Sequence, residues 1–438
     1  MEEKKGELNR RDFLRTALVT AGVAAAPWII PARVLGQEGR PAPSNMITMG
    51  CVGVGGQGSG NMGSFLEEPD CRVLAVCDVD RKNLENAKRT VDKKYGNNDC
   101  KAYTDFRELI ARPDIDTVSM ATPDHWHACV SVAAAKAGKD IYGEKPIGHT
   151  LLDGRAIADA VRRYGRIWQT GSWQRAGRDF RHASELVLNG RIGKVHTIEV
   201  GLPVDGTSTR NVPFKSGQTP PPELDYDFWV GPAPFLPYQK EYLHFVWRWN
   251  LNFGGGAILD WVGHHQDIAH WGMGWDKTAP IEEVEGHGTY MNQGIYTAAH
   301  RFRVEMKYRG GVYCVLAGNE PDIRVGTKWI GRDGWVWVDR GAIDAEPKSL
   351  LREVFGANEI HLYRSPGHER EFLDCVKSRK ETLAPAETAH RSATPGHLGQ
   401  ISMLVGRKLL WNSDTEKIIG DPEATRMLGI PMRAPWSL

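Results

Sequence analysis

The stretch that most limits how this chain can fold starts at Ile47: "ITMGCVGVGGQGSG". A short apolar run leads directly into Gly53-x-Gly55-x-x-Gly58. Glycines at this spacing allow a tight turn, a close approach of backbone N–H groups to a ligand, and close packing of the next helix on the strand. A second apolar run, "RVLAVCD", ends in Asp78, 20 residues beyond Gly58. Strand, glycine turn, helix, strand and terminal acid together predict a dinucleotide-binding βαβ unit. Gly53, Gly55, Gly56, Gln57 and Gly58 are then expected around the pyrophosphate, and Asp78 is expected to accept from the ribose hydroxyls. An acid at that place repels a 2′-phosphate, which favours NAD over NADP. Arg81 lies three residues on and is able to pair with such a phosphate, so NADP stays open.

The β/α alternation continues to about residue 173. "FRELIARPD" reads as helix and "IDTVSMATP" as buried strand. "HACVSVAAAKAG" and "LLDGRAIADAVRRYG" read as helices ended by Gly138 and Gly165, with "DIYGEKP" and "RIWQTGS" as strands. This alternation predicts a doubly wound parallel sheet whose ligand lies beyond the carboxyl ends of the strands. Two short motifs fall at such ends: "TPDHWH" (Thr122 to His127) and "GEKP" (Gly143 to Pro146). Composition narrows the class further. With 41% hydrophobic and 25% charged residues in 438, the chain is ordinary globular material for two or three domains. A net charge of +1 without long charge runs points away from nucleic acid and polybasic membrane contacts. The 7 cysteines are odd in number and form no CxxC, which supports neither a zinc ribbon nor a disulfide framework.

With the Gly53–Gly58 turn, Asp78, "TPDHWH", Glu144-Lys145-Pro146 and a later Asp-x-x-x-His, the chain resembles the Gfo/Idh/MocA family of glucose–fructose oxidoreductase and inositol dehydrogenase. The resemblance implies an N-terminal Rossmann doubly wound parallel sheet over residues 46–173. It implies an α+β substrate and oligomerisation domain over 174–438, built on a large, mostly antiparallel open sheet. It implies NAD(P)-dependent oxidation or reduction of a secondary alcohol on a sugar, sugar derivative or cyclitol. Lys145 would then lie between nicotinamide and substrate, with Glu144 close to the cofactor, and Thr122 and His127 belong to the cofactor side. Read from the residues alone, Lys145 ends a strand, where a desolvated Lys can donate to a substrate oxygen.

The pattern shifts from about Gln174, and Gln174 and Arg175 at this junction are assigned to substrate. A long irregular stretch, Val204 to Asn250, carries Phe228, Trp229, Tyr238, Tyr242, Phe245, Trp247 and Trp249. Its aromatics suit either a subunit interface, the favoured reading, or stacking on sugar rings. "GGGAILDWVGHHQDIAHWGMG" follows and reads as a helix after its glycines. Asp260, His264 and Asp267 share one face of it, so Asp260 is positioned to orient His264 as a general base. His265 is the competing histidine. Adjacent histidines point about 100° apart on a helix, which argues against one metal ion held by His264, His265 and His270. Hairpins are expected around Arg309-Gly310-Gly311 and Asp333-Gly334, and closing helices over "HEREFLDCVKS" and "GHLGQISMLVGRKLLWN". The exposed face of so large a sheet predicts a homo-oligomer.

The N-terminus carries "RRDFLR" ahead of "TALVTAGVAAAPWIIPA". Charged start, soft apolar run and small residues near Val34 to Gly36 resemble a twin-arginine export signal over residues 1–36, with a polar linker over 37–45. Such signals carry folded proteins, so a periplasmic enzyme with NAD(P) loaded and tightly held before export is expected. Two rival functions remain: a redox-neutral, NAD-dependent glycosidase or lyase that oxidises transiently, and a cofactor-retaining binding protein without turnover.

Overall fold

In the computed structural model the described residues are Ala42 and 45–438. The expected export signal and most of the linker lie outside them. The apolar runs of the N-terminal half become six parallel strands: β1 (Ile47–Val52), β2 (Cys71–Cys77), β3 (Lys101–Tyr103), β4 (Thr117–Met120), β5 (Asp140–Gly143) and β6 (Trp168–Thr170), in the order β3-β2-β1-β4-β5-β6. Helices α1 (Gly56–Glu67), α2 (Arg81–Tyr95), α3 (Phe106–Ile110), α4 (His127–Lys136) and α5 (Leu151–Arg163) alternate with them. β4 and β5 are buried at every position, as expected of parallel strands covered on both faces. Short polar side chains start the helices. Asp80 accepts from the Lys82 N–H at the head of α2, and Thr150 forms a capping box with Asp153 on α5.

The second sheet has nine strands: β7 (Val195–Leu202), β8 (Ile281–Thr289), β9 (Arg301–Tyr308), β10 (Val312–Gly318), β11 (Gly326–Gly331), β12 (Trp335–Asp339), β13 (Ala342–Glu346), β14 (Leu409–Asn412) and β15 (Lys417–Ile419). Their order is β13-β12-β11-β7-β10-β9-β8-β14-β15, antiparallel except for the β7/β10 pair. In β9, Phe302, Val304, Met306 and Tyr308 are buried while Arg301, Arg303, Glu305 and Lys307 face outward, the period of two that a one-sided sheet requires. The remaining helices are α6 (Arg178–Leu188), α7 (Tyr226–Val230), α8 (Gly256–Met273), α9 (His368–Ser378), α10 (Ala386–Val405) and α11 (Pro422–Arg426). Helix α8 lies on the apolar face of this sheet. The fully buried Trp329 indole donates to the Ala269 carbonyl, and a Cβ at Gly272 would stand 2.7 Å from that ring.

Both expected hairpins form, β9/β10 and β11/β12. The closing segment differs from the sequence reading. Helix α10 begins ten residues before "GHLGQ", runs through Pro395, and ends at Gly406; "LLWN" is strand β14, paired with β8. β3, β8, β13 and β15, which sequence periodicity did not pick out, are short or rich in charge and glycine. The C-terminal part also packs against the first sheet. Phe372, Leu373 and Cys375 of α9 enter the core formed by Phe65 and Tyr142. Arg155 of α5 binds Glu387 of α10 and Glu416 through both carboxylates. From Ile47 to Leu438 the chain is one compact unit, and its seven cysteines are buried free thiols.

Candidate active site

A cavity of about 410 Å³ opens at the carboxyl ends of β1, β2, β4 and β5. The glycine turn forms one wall. Gly53 has φ +75, and a Cβ there would stand 2.7 Å from the Ala121 carbonyl. A Cβ at Gly58 would fall 1.8 Å from the Gly53 oxygen, so the third glycine is what lets α1 pack on the turn; it does not line the cavity. Gly55, Gly56 and Gln57 do line it, and a Cβ at Gly56 would meet nothing within 4 Å, which leaves the head of α1 open for an anion.

Asp78 reaches the same cavity and accepts from the Val54 N–H at 2.9 Å and the Asp80 N–H at 2.9 Å. Burial pushes its carboxyl up to about 6, against the pull of those N–H groups. Open glycine backbone, a helix N-terminus and a carboxylate at the end of β2 fit the pyrophosphate and ribose of NAD. Asn83, which the sequence reading passed over, lines the cavity beside Asp78. Arg81 is exposed on the first turn of α2 and outside the cavity, a correction to its expected cofactor contact.

The irregular stretch from Val204 to Asn250 folds over this crevice. The Arg81 N–H donates to the Glu223 carbonyl, and the Asp225 N–H donates to that of Val79. Phe228, Trp229, Phe245 and Trp247 then roof the cavity. Trp126 stacks on Phe228 at 5.3 Å and donates its indole N–H to the Trp229 carbonyl. These four aromatics are therefore walls of the dinucleotide crevice.

At the inner end the cavity meets "GEKP". Lys145 Nζ donates to Asp260 Oδ1 at 2.8 Å and to the Asp260 carbonyl at 2.8 Å. Arg248 Nε donates to the same Asp260 Oδ1 at 3.0 Å, with its guanidinium carbon 4.3 Å from the Trp247 ring centroid. Burial opposes a charge on Asp260, yet Lys145 and Arg248 outweigh it and hold the carboxyl far below the usual range. Glu144 is buried at the cavity wall; Asn61 donates to it, and burial raises its carboxyl. Thr122 lines the cavity, and so does Asp124, whose burial raises it to about 7.

His127 does not reach the cavity. Its buried ring approaches the Thr122 carbonyl at 2.9 Å and the Pro146 carbonyl at 2.6 Å, and burial lowers it to about 4. It corrects the expected cofactor contact to a tie between the two strand-end motifs.

Helix α8 carries the histidines. A Cβ on Gly263 would stand 3.2 Å from Lys145 Cβ, and Ser172 Oγ donates to the Gly263 carbonyl, so α8 is pressed against the Lys145 strand end. His264 is 4% exposed, with Nδ1 buried and without a partner. Burial, then Lys145 and Arg340, lower it well below the ordinary imidazole range. No hydrogen bond joins it to Asp260, whose carboxylate is taken by the two cations. The expected orienting pair is thus replaced by a Lys145–Asp260–Arg248 triad beside a neutral His264. His265 stacks on Trp261 at 5.7 Å and lies 3.6 Å from Asp339.

Arg175 is corrected too. Its guanidinium is buried and bonded to Asp267 at 2.6 and 2.9 Å, and to Asp276 at 2.5 Å. Burial is outweighed by those acids, which keep it charged. Arg175 and Asp267 are bonded internally rather than presented to a ligand. Gln174 Nε2 faces His265 Nδ1 at 3.4 Å, with its amide oxygen buried and unpaired. Among the described residues no three His, Cys, Asp or Glu side chains converge as metal ligands. Nor is any helix long and apolar enough to cross a membrane.

Residues 47–172 match the model of an oxidoreductase family NAD-binding Rossmann fold, and residues 213–438 match the C-terminal alpha/beta domain of the same family. Among curated proteins, the chain is 26% identical to a myo-inositol 2-dehydrogenase of Thermotoga maritima over 56% of its own length and 59% of the relative's. It is 28% identical to a glycosyl hydrolase family 109 protein of Shewanella pealeana over 43% and 44%. The chain therefore spans less than two thirds of either relative. An aldose-aldose oxidoreductase from Caulobacter crescentus shares the fold with a TM-score of 0.61 at 19% identity, covering 83% of this chain and 98% of that one. Cavity, glycine turn, second sheet and both matched domains agree: the chain belongs to the Gfo/Idh/MocA oxidoreductase family, with an NAD-binding Rossmann domain.

Proposed function

We propose that this protein is an NAD-dependent oxidoreductase acting on a secondary alcohol of a sugar, sugar derivative or cyclitol. One observation carries the reading: Lys145 Nζ stands at the inner end of the dinucleotide cavity, held by Asp260 through two of its three N–H groups. The third N–H is left for a substrate oxygen. Asp260 and Arg248 keep the ammonium in place. His264 is not among the residues that line the cavity; its neutral ring, on the helix pressed against the Lys145 strand end, is assigned to accept the hydroxyl proton once substrate is bound at Lys145. The Gly55–Gln57 turn and Asp78 hold the cofactor's phosphates and ribose, and Glu144 lies at its inner end. The cofactor so held would supply the hydride acceptor for the alcohol carbon as it becomes a carbonyl. The aromatic roof excludes water and slows cofactor release.

A second reading, redox-neutral glycoside cleavage with the same cofactor recycled in place, is supported by the relatives named glycosyl hydrolase family 109. One experiment separates the two. Purified protein is incubated with NAD and a panel of free sugars, cyclitols and glycosides while nicotinamide absorbance and product masses are followed. Net cofactor reduction with a ketone product supports the dehydrogenase. Glycoside cleavage without net reduction supports the second reading. Neither outcome in any member of the panel would refute both.

We also propose that the enzyme is exported through the twin-arginine route as a homo-oligomer with NAD already bound. Replacing Arg10 and Arg11 by Lys should abolish export, and protein recovered from outside the cytoplasm should release NAD(P) on denaturation. Normal export of the double variant, or cofactor-free exported protein, would contradict this.

A further inference from the structure

One cation close to His264, Arg340, has no side-chain acceptor among the described residues. Arg340 stands at the turn between β12 and β13, followed by Gly341 at φ +76. Its guanidinium carbon lies 4.5 Å from the ring centroid of Trp173 and 4.5 Å from that of Trp261. The same two indoles meet the His264 ring edge-on, at 6.5 and 5.4 Å. Arg340 and His264 are thus placed together by one pair of tryptophans, on three separate elements: the loop after β6, helix α8 and the β12–β13 turn.

Charge sets Arg340 apart from its neighbours. Lys145 and Arg248 share Asp260. Among the described residues no oxygen accepts from the Arg340 side chain; only its main-chain N–H is used, donating to Asp339 Oδ1 at 2.7 Å. That carboxylate also faces His265 Nε2 at 3.6 Å. Arg340 is an exposed residue, although burial lowers its guanidinium from the ordinary value. Its charge is close enough to add to burial and Lys145 in lowering His264. A guanidinium steadied by aromatic rings loses little freedom when it binds, and its N–H fork matches the two oxygens of a carboxylate. The Nδ1 of the neighbouring His264 is likewise buried and without a partner.

We propose that Arg340, steadied by Trp173 and Trp261 beside His264, is an anion subsite for a carboxylate carried by the substrate. The substrate class is then an acidic sugar of the uronate or aldonate type. That class rests on the oxidoreductase reading above, whereas carboxylate binding at Arg340 can be measured without turnover.

The test is calorimetric titration of the full-length, NAD-loaded protein with glucuronate, galacturonate, glucose, galactose and glucose 6-phosphate. A charge-assisted, bidentate contact predicts a uronate affinity about 10- to 100-fold above that of the matching neutral sugar. Arg340→Gln should bring that ratio close to one, and Arg340→Lys should restore only part of it. NAD affinity in the same preparations reports that the fold is intact. Equal affinity for acidic and neutral sugars in the unaltered protein would overturn the subsite, as would a ratio unmoved by Arg340→Gln. A preference for the phosphate over the uronates would overturn the carboxylate assignment. Uronate binding with no cofactor reduction by any sugar or cyclitol of the panel above would keep the subsite and refute the dehydrogenase reading. Reduction by neutral sugars with no acidic preference would do the reverse.

Discussion

Replacing Asp78 by Asn tests the cofactor end of the site. Asp78 does two things at once. Its Oδ2 accepts from the Val54 N–H and its Oδ1 from the Asp80 N–H, which ties the glycine turn to the end of β2. It also faces the cavity where the ribose is expected. Asn keeps one acceptor oxygen and presents an NH₂ where the other stood, so one main-chain N–H loses its partner. A buried donor left unpaired costs about 1–3 kcal/mol of stability. A ribose hydroxyl then meets a neutral amide instead of a carboxylate, a loss of about 1.5–3 kcal/mol, or roughly 10- to 100-fold in NAD affinity. NADP binding should suffer less, because repulsion of its 2′-phosphate is relieved.

The pH dependence gives a sharper signature. Burial raises the Asp78 carboxyl to about 6, so in the free protein it gains a proton as pH falls through that value. Only the ionised form accepts from both main-chain and ribose donors. NAD affinity should therefore weaken below pH 6 in the unaltered protein. Asp124 and Glu144 also carry raised carboxyls in the cavity and titrate in both proteins. The difference between the two profiles isolates Asp78. NAD titrations followed by calorimetry from pH 5 to 8 would give that difference. Parallel profiles, or an unchanged NAD affinity in the variant at neutral pH, would refute the assignment.

Three further outcomes are expected. Gly58→Ala places a Cβ 1.8 Å from the Gly53 oxygen, and the backbone shift that follows should cost about 1–3 kcal/mol and weaken NAD binding tenfold or more, measured by titration. Arg248→Ala removes one of the two cations on Asp260 and should lower kcat by about 10- to 100-fold; an unchanged kcat would show that Lys145 is held without it. Burial opposes the Glu387 charge, but Arg155 and Arg391 outweigh it and bring the carboxyl from 4.5 down to about 2. Its stabilisation is present above about pH 4.5 and is lost as pH falls toward 2. The full shift corresponds to about 3 kcal/mol, screened at this partly exposed site to about 1–2 kcal/mol. Glu387→Gln should therefore melt lower at pH 7, with the gap closing in acid.

The parts of this molecule legible in the sequence are those set by neighbours along the chain. The Gly53–Gly58 turn, Asp78 and the alternating strands and helices depend on spacings of a few residues, and all stand where the pattern puts them. Arg248 was not legible, because it lies in an aperiodic stretch and its carboxylate is 12 residues away on another element. The same limit misled the reading of Arg175, a cation near a motif whose true partner Asp267 is 92 residues on. Asp260 and His264 share a helix face as their spacing demands. Spacing alone did not reveal that Lys145 and Arg248 would claim the carboxylate first. Helix α10 hid its first half behind Pro395, where tertiary packing overrides a local helix breaker.

The central claim is that Lys145, held by Asp260 against the dinucleotide cavity, donates to the oxygen of an alcohol being oxidised. Single-turnover measurement with NAD-loaded Lys145→Ala, on whichever sugar the unaltered protein oxidises, tests it most directly. Lys145→Ala should bind NAD and sugar within a few-fold of the unaltered protein, yet reduce the cofactor about 10²- to 10⁴-fold more slowly. Reduction at the unaltered rate would contradict the account.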